Sequence, residues 1–136
     1  MGTYGLLGRK LAHSYSPQIH IALGCPPEEY HLFEKEPEEL ESFLRHPAFD
    51  GINVTIPYKL AVIPYMAELT DAARAIGSVN TIVPRPGGGL LGDNTDFYGL
   101  DETLRVAAID PAGKKALVLG DGGVAPTVRA VLSHRG

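Results

Sequence analysis

Residues 53–59 read Asn-Val-Thr-Ile-Pro-Tyr-Lys, and they narrow the folds open to this chain more than any other stretch. The run from Gly51 to Ile56 is apolar and β-branched, as a buried strand requires. Pro57 cannot donate to a ladder, so the strand should stop there, and its fixed φ suits the first turn of a helix. A strand handing over to a helix is the unit of an open α/β sheet, whose ligands bind at that edge. Thr55 and Lys59 fall at this predicted edge. A cation in a first helical turn opposes the partial positive charge of the helix N-terminus, so neither capping nor dipole accounts for Lys59. The plainer alternative is a surface lysine with its ammonium in water.

A chain of 136 residues, 44% of them hydrophobic, can bury one core. A net charge of −4 argues against nucleic-acid and anionic-membrane partners, while local donors could still hold a small anionic substrate. One cysteine, Cys25, excludes an internal disulfide framework and fits a reducing cytoplasm. The glycines among the first eight residues break up any signal-peptide core, and no run approaches the roughly 18 apolar residues of a membrane helix. No metal site is predicted.

Several other stretches place polar groups where elements meet. Thr3–Leu7 reads as the first strand, and Ser16-Pro17 as the N-cap and N1 pair of a helix reaching Leu23. Ser14 and Ser16 then share a strand-to-helix loop with free backbone N–H groups, a natural carboxylate receptor. Capping accounts for Ser16 but leaves Ser14 and His13 without a role. Tyr30–Phe33 suggests a second strand, and Pro37 opens a helix with Leu40, Phe43 and Leu44 inward. Beyond Lys59 the helix is expected to run through Ile63 and end at Pro64. Thr70 should cap a helix to Ile76, with Asp71 at its positive end. Gly77–Val83 is β-rich, and Pro84–Gly89 reads as a hairpin loop leading to the strand Leu90–Gly92. Asp93-Asn94-Thr95-Asp96 could cap a helix Phe97–Ala108, yet four polar residues exceed what one cap uses. After a boundary loop at 110–113, Ala116–Leu119 reads as a strand. Gly120-Asp121-Gly122-Gly123-Val124-Ala125 follows, a Gly-x-Gly-x-x-Ala pattern in the setting of a dinucleotide fingerprint. A single β and α unit is less than the βαβαβ such a domain needs, so an incomplete nucleotide domain is expected.

The blocks Ala12–Pro17, Asn53–Lys59, Gly77–Thr81 and Gly92–Asp96, in this order, resemble those of the shikimate dehydrogenase family. The resemblance runs from Tyr4 to about Leu132. It implies a three-layer α/β/α sandwich with a mainly parallel sheet over residues 1–110, which holds the substrate. The first βα unit of an NADP-binding Rossmann domain would follow over 111–136. It also implies NADP-dependent reversible reduction of 3-dehydroshikimate to shikimate, in aromatic amino-acid biosynthesis in the cytoplasm. On that resemblance Ser14 and Ser16 would hold the substrate carboxylate, and Thr55, Asn80 and Asp96 the ring hydroxyls. Lys59 and Asp96 would form the catalytic pair, Asp71 would face the nicotinamide side, and Gly120, Gly122, Gly123, Val124 and Ala125 would form the phosphate loop. Asp121 stands where the family has a small residue. A charged lysine can donate its proton to the alkoxide forming in the reductive direction. The alternative is a non-catalytic module that binds shikimate or quinate without turnover. A further expectation is that the last βα unit exposes Leu117, Leu119, Val128, Val131 and Leu132 and pairs chains into a homodimer.

Overall fold

A computed structural model describes residues 1–136. Six strands form one sheet: β1 (Tyr4–Gly8), β2 (Tyr30–Glu34), β3 (Gly51–Val54), β4 (Glu68–Leu69), β5 (Thr81–Pro84) and β6 (Leu90–Asp93). Their order across the sheet is β2-β1-β3-β5-β6-β4. β1 runs parallel to both β2 and β3, and β4 parallel to β6, while β5 is antiparallel to β3 and β6. The carboxyl ends of β1, β3, β4 and β6 and the start of β5 therefore share one edge.

The period of two along the strands divides the sheet's faces. Leu7, Ile52, Val54, Ile82 and Leu90 point to one face, and meet Leu40 and Leu44 of α2 (Leu40–Arg45) and Ala73 of α3 (Asp71–Ile76). Tyr58 and Val62 complete this core. Each such buried aliphatic side chain contributes roughly 1.5–3 kcal/mol, so this face carries most of the packing energy. The other face has a small cluster of Leu6, Leu11 and Tyr30 beside α1 (Ser16–Ala22) and leaves Tyr4, Leu32 and Val83 exposed. The expected α/β/α layering and mainly parallel sheet are observed.

Local chemistry accounts for the boundaries. The Thr70 hydroxyl caps α3 by accepting from the Ala73 N–H at 3.2 Å, as predicted, and Gly77 ends the helix with φ at 75°. The β5–β6 loop needs three glycines because Gly87, Gly88 and Gly89 all take positive φ. The helix opened by Pro37 begins as a single 3-10 turn, Pro37–Glu39, before α2.

Four expectations fail. No α-helix follows Pro57: β3 ends at Val54, the Ile56–Pro57 peptide is cis, and turns lead to one 3-10 turn, Ile63–Tyr65. The Lys59 carbonyl, which a helix would give to residue 63, instead accepts from the Val79 N–H at 2.8 Å. Ser16 is the first helical residue and not the cap, which is Tyr15 with no side-chain bond. Ala116–Leu119 is not a strand, since no neighbouring strand offers it a ladder, and Leu117 and Leu119 stand in solvent.

The fourth correction concerns the last helix, α5 (Ala125–Arg135). It packs on α3 and on α4 (Asp96–Val106), so Val131 is buried and Val128 and Leu132 are half-buried, not exposed. The Arg135 Nε donates to Asp101 Oδ1 at 2.5 Å and its Nη2 to the Asp101 carbonyl at 2.8 Å, tying α5 to α4. That hydrogen bond to Arg135 holds the Asp101 carboxyl below the usual aspartate range. A depressed folded value means the contribution is complete above the ordinary aspartate pKa and is lost as pH falls through the depressed one. Protection of the α5 amides, relative to the intrinsic exchange rate at each pH, should thus fall selectively as pH drops below the ordinary aspartate range. Asp101→Asn should show the faster exchange at neutral pH; unchanged α5 protection in that variant would refute the tie.

Candidate functional site

The shared strand edge gathers the predicted residues. Gly8 at the end of β1 abuts Thr55, whose N–H donates to the Leu7 carbonyl at 2.9 Å. The loop leaving β1, with Ser14 and Ser16, thus starts beside the loop leaving β3, with Thr55 and Lys59. Antiparallel β5 begins at the same edge, with the Asn80 carbonyl accepting from the Val54 N–H at 2.7 Å. β6 ends there too, bringing in Asp93–Asp96.

Ser14 has a local role: its Oγ accepts from the Ser16 N–H at 3.2 Å and so turns the chain into α1. Lys59 Nζ lies 3.3 Å from Asp96 Oδ2, joining residues 37 apart in sequence. Both side chains keep solvent access, at 36% and 51%, so the pair is accessible to a ligand and worth little as a surface ion pair.

Asn80 and Asn94, both buried, hold the loops that carry this pair. Asn80 Oδ1 accepts from the Thr95 N–H at 2.9 Å and the Thr81 hydroxyl at 3.0 Å, while its Nδ2 donates to Thr95 Oγ1 at 3.0 Å. Asn80 is thereby committed largely to the β6–α4 loop. Asn94 Nδ2 donates to the Ser78 carbonyl at 3.0 Å and its hydroxyl at 2.8 Å, and its Oδ1 accepts from the Asp96 N–H at 3.2 Å. Asp93 accepts from the Thr70 hydroxyl at 2.5 Å and from the Asn94 N–H at 2.7 Å, fastening α3 to the same loop. Sequence reasoning does not single out Asn94 or Thr95, although the excess of polar groups over one helix cap is the signal that points to them.

A cavity of about 320 Å³ has Lys59 in its wall, with Ile56, Pro57, Ser78, Gly123 and Pro126 among the other lining residues; Ser14, Ser16, Thr55, Asn80 and Asp96 do not line it. The lysine loop and the glycine loop thus border one space. Asp71 lies elsewhere, in a pocket between α3, α4 and α5 with Phe97, Tyr98 and His134. In the glycine loop, a Cβ on Gly120, Gly122 or Gly123 would meet nothing, so packing does not require these glycines and the loop stays open to a close-approaching ligand. Asp121, an awkward neighbour for phosphate, is paired with the Arg129 guanidinium of α5. The loop and helix N-terminus therefore fit a dinucleotide phosphate, with Val124 and Ala125 at the helix start. No group of three or more His, Cys, Asp or Glu side chains is placed to hold a metal ion, and no helix is long and apolar enough to cross a membrane.

With this geometry established, comparison with known proteins decides the family. Residues 6–82 match the model of the shikimate dehydrogenase substrate binding domain. The chain belongs to that family. It is 42% identical over 139 residues to shikimate dehydrogenase (NADP(+)) of Rubrobacter xylanophilus, covering 97% of this chain and 49% of that protein. It is 46% identical over 126 residues to the pentafunctional AROM polypeptide of Schizosaccharomyces japonicus, covering 87% of this chain and 8% of that one. The crystal structure of shikimate 5-dehydrogenase from Thermus thermophilus in complex with shikimate superposes with a TM-score of 0.83 at 35% identity, over 100% of this chain and 54% of that one. The same enzyme with NADP(H) and shikimate gives 0.79 at 34% identity, over 100% and 53%. The chain spans about half the length of these dehydrogenases.

Proposed function

We propose that this member of the shikimate dehydrogenase family is the substrate-holding part, residues 1–110, of an NADP-dependent shikimate dehydrogenase, with residues 111–136 as the start of its NADP-binding domain. The observation that carries this is the Lys59–Asp96 pair at the carboxyl edge of the sheet, with Lys59 lining a cavity that Gly123 of the glycine loop also borders. Relatives of this fold are named NADP(+) shikimate dehydrogenases, and one is described in complex with shikimate and NADP(H). On this reading the enzyme acts in the cytoplasm, in aromatic amino-acid biosynthesis.

NADPH would supply the hydride to the carbonyl carbon of 3-dehydroshikimate; the remaining tasks fall to the chain. The Ser14 and Ser16 hydroxyls hold the substrate carboxylate, and Thr55 and Asn80 the ring hydroxyls. The Lys59 ammonium gives its proton to the carbonyl oxygen as it becomes the alcohol, so no free alkoxide forms. Asp96 holds the ammonium in place and accepts from a ring hydroxyl. The loop Gly120–Ala125 contributes to the cofactor side. In the oxidative direction neutral Lys59 takes the proton back.

NADPH consumption with 3-dehydroshikimate, in an enzyme that joins this chain to a complete dinucleotide-binding domain, together with calorimetry using NADP alone, tests this. Turnover and dinucleotide binding are expected there. Binding of shikimate with neither would instead place the chain with non-catalytic modules that hold shikimate or quinate. The exposed Leu117 and Leu119 provide a surface through which two copies pair, and light scattering should show a concentration-dependent dimer. A monomer at every concentration would remove that part of the reading.

A further inference from the structure

Tyr30, the first residue of β2, is 6% exposed; its ring belongs to the small cluster with Leu6 and Leu11, and its hydroxyl has no part in anything described so far. Its ring stacks on that of His20 from α1, with centroids 4.0 Å apart and planes 21° from parallel. His20 Nδ1 lies 2.8 Å from the Ser16 carbonyl oxygen, so the imidazole is itself held at the start of the helix. The Tyr30 hydroxyl donates to Asn53 Oδ1 at 3.1 Å across β1, which lies between the two strands. Asn53 opens the stretch that ends at Lys59 and sits two residues before Thr55.

This contact has a chemical consequence. An asparagine side chain can offer one acceptor and two N–H donors. The phenol takes one of the two lone pairs of the Asn53 oxygen and so fixes which end of the amide faces β2, leaving the amino group on the other side. Burial pushes the Tyr30 hydroxyl above its ordinary pKa, with the Ser16 side chain opposing this, so the phenol keeps its proton at physiological pH. An amino group held in a fixed direction suits an anionic or hydroxyl-bearing ligand. The same phenol touches the helix that carries Ser16 through the His20 stack and the strand that carries Asn53, so it sets their mutual distance.

We propose that Tyr30 is a positioning residue for the carboxylate end of the substrate site: its hydroxyl locks the Asn53 amide with the amino group free as the donor, and its ring spaces Ser16 from β3. The inference rests on the reading that a substrate carboxylate is held at Ser14 and Ser16.

The test compares wild type, Tyr30→Phe, Asn53→Ala and the double variant, with shikimate affinity measured by calorimetry and thermal stability measured alongside. Tyr30→Phe should weaken shikimate binding about 5- to 10-fold, the loss of one hydrogen bond's worth of order, with little change in melting temperature. In the double variant the two losses should not multiply, since Tyr30 acts through Asn53. A merely structural Tyr30 would give independent losses or an effect confined to melting, and either result would overturn the proposal. A second readout needs no ligand. The Asn53 side-chain carbonyl and amide resonances should shift in Tyr30→Phe, because the oxygen loses its phenol donor and the amide its fixed orientation. Unchanged Asn53 signals in that variant would overturn the proposal on their own. Failure of wild type to bind shikimate, with the Asn53 signals behaving as expected, would count against the functional reading and leave the lock itself supported.

Discussion

Replacing Lys59 with alanine should slow reduction of 3-dehydroshikimate by roughly 10²- to 10⁴-fold, the range covered by removal of a positioned general acid. The measurement belongs in an enzyme that carries this chain together with a dinucleotide-binding domain. The lysine is well suited to such a test because its loss should leave the fold intact. Its 3.3 Å contact with Asp96 is a solvent-accessible ion pair, of a kind worth about 0–1 kcal/mol. Shikimate affinity should fall far less than turnover, since the hydroxyl and amide donors remain. Lys59→Arg separates charge from proton transfer: guanidinium keeps the positive charge but does not release a proton near neutral pH, so most of the rate should still be lost. Near-normal turnover in either variant would remove Lys59 from the chemistry.

The largest effect on stability should come from Asn94→Ala. Asn94 is 1% exposed, and its amide satisfies the Ser78 carbonyl and hydroxyl and the Asp96 N–H. Truncation leaves those groups without partners next to a cavity the size of the lost amide. A cost of about 2–3 kcal/mol follows from unsatisfied buried polar groups alone. For a chain of this size that corresponds to a fall of roughly 6–12 °C in melting temperature. Thr95→Ala, at an exposed neighbour, should cost clearly less. Equal losses at the two positions would show that the Asn94 clamp is not what joins the two loops.

Much of this arrangement is legible in the sequence because its parts are local. The cap at Thr70, the glycine hairpin and the polar excess at Asp93–Asp96 each depend on a few adjacent residues, and each appears where expected. The two misplaced elements depend on distant partners. After Pro57 the pattern permits a helix, but Val79, far along the chain, takes the Lys59 carbonyl. That replaces helix–dipole reasoning about Lys59 with a turn anchored by the loop that also bears Asn80. Ala116–Leu119 has a strand's composition without a strand beside it, so composition alone misleads there. β4 is only two residues long and depends on β6 for its ladder, leaving no periodicity to detect. The Lys59–Asp96 pairing follows from resemblance, whereas its length is a matter of tertiary structure. Tyr30 gives no signal because a tyrosine opening a strand is ordinary until its hydroxyl partner, 23 residues away, is known.

The central claim is that the edge holding Ser14, Ser16, Thr55, Lys59, Asn80 and Asp96 is a shikimate site. Titration of the isotope-labelled chain with shikimate, followed by backbone and side-chain amide resonances, tests it directly. Saturable one-to-one shifts confined to residues 14–16, 53–59, 78–81 and 93–96 are predicted, and they should be lost when Ser14 and Ser16 are both replaced by alanine. An absence of shifts at millimolar shikimate, or shifts centred on the pocket between α3, α4 and α5, would contradict it.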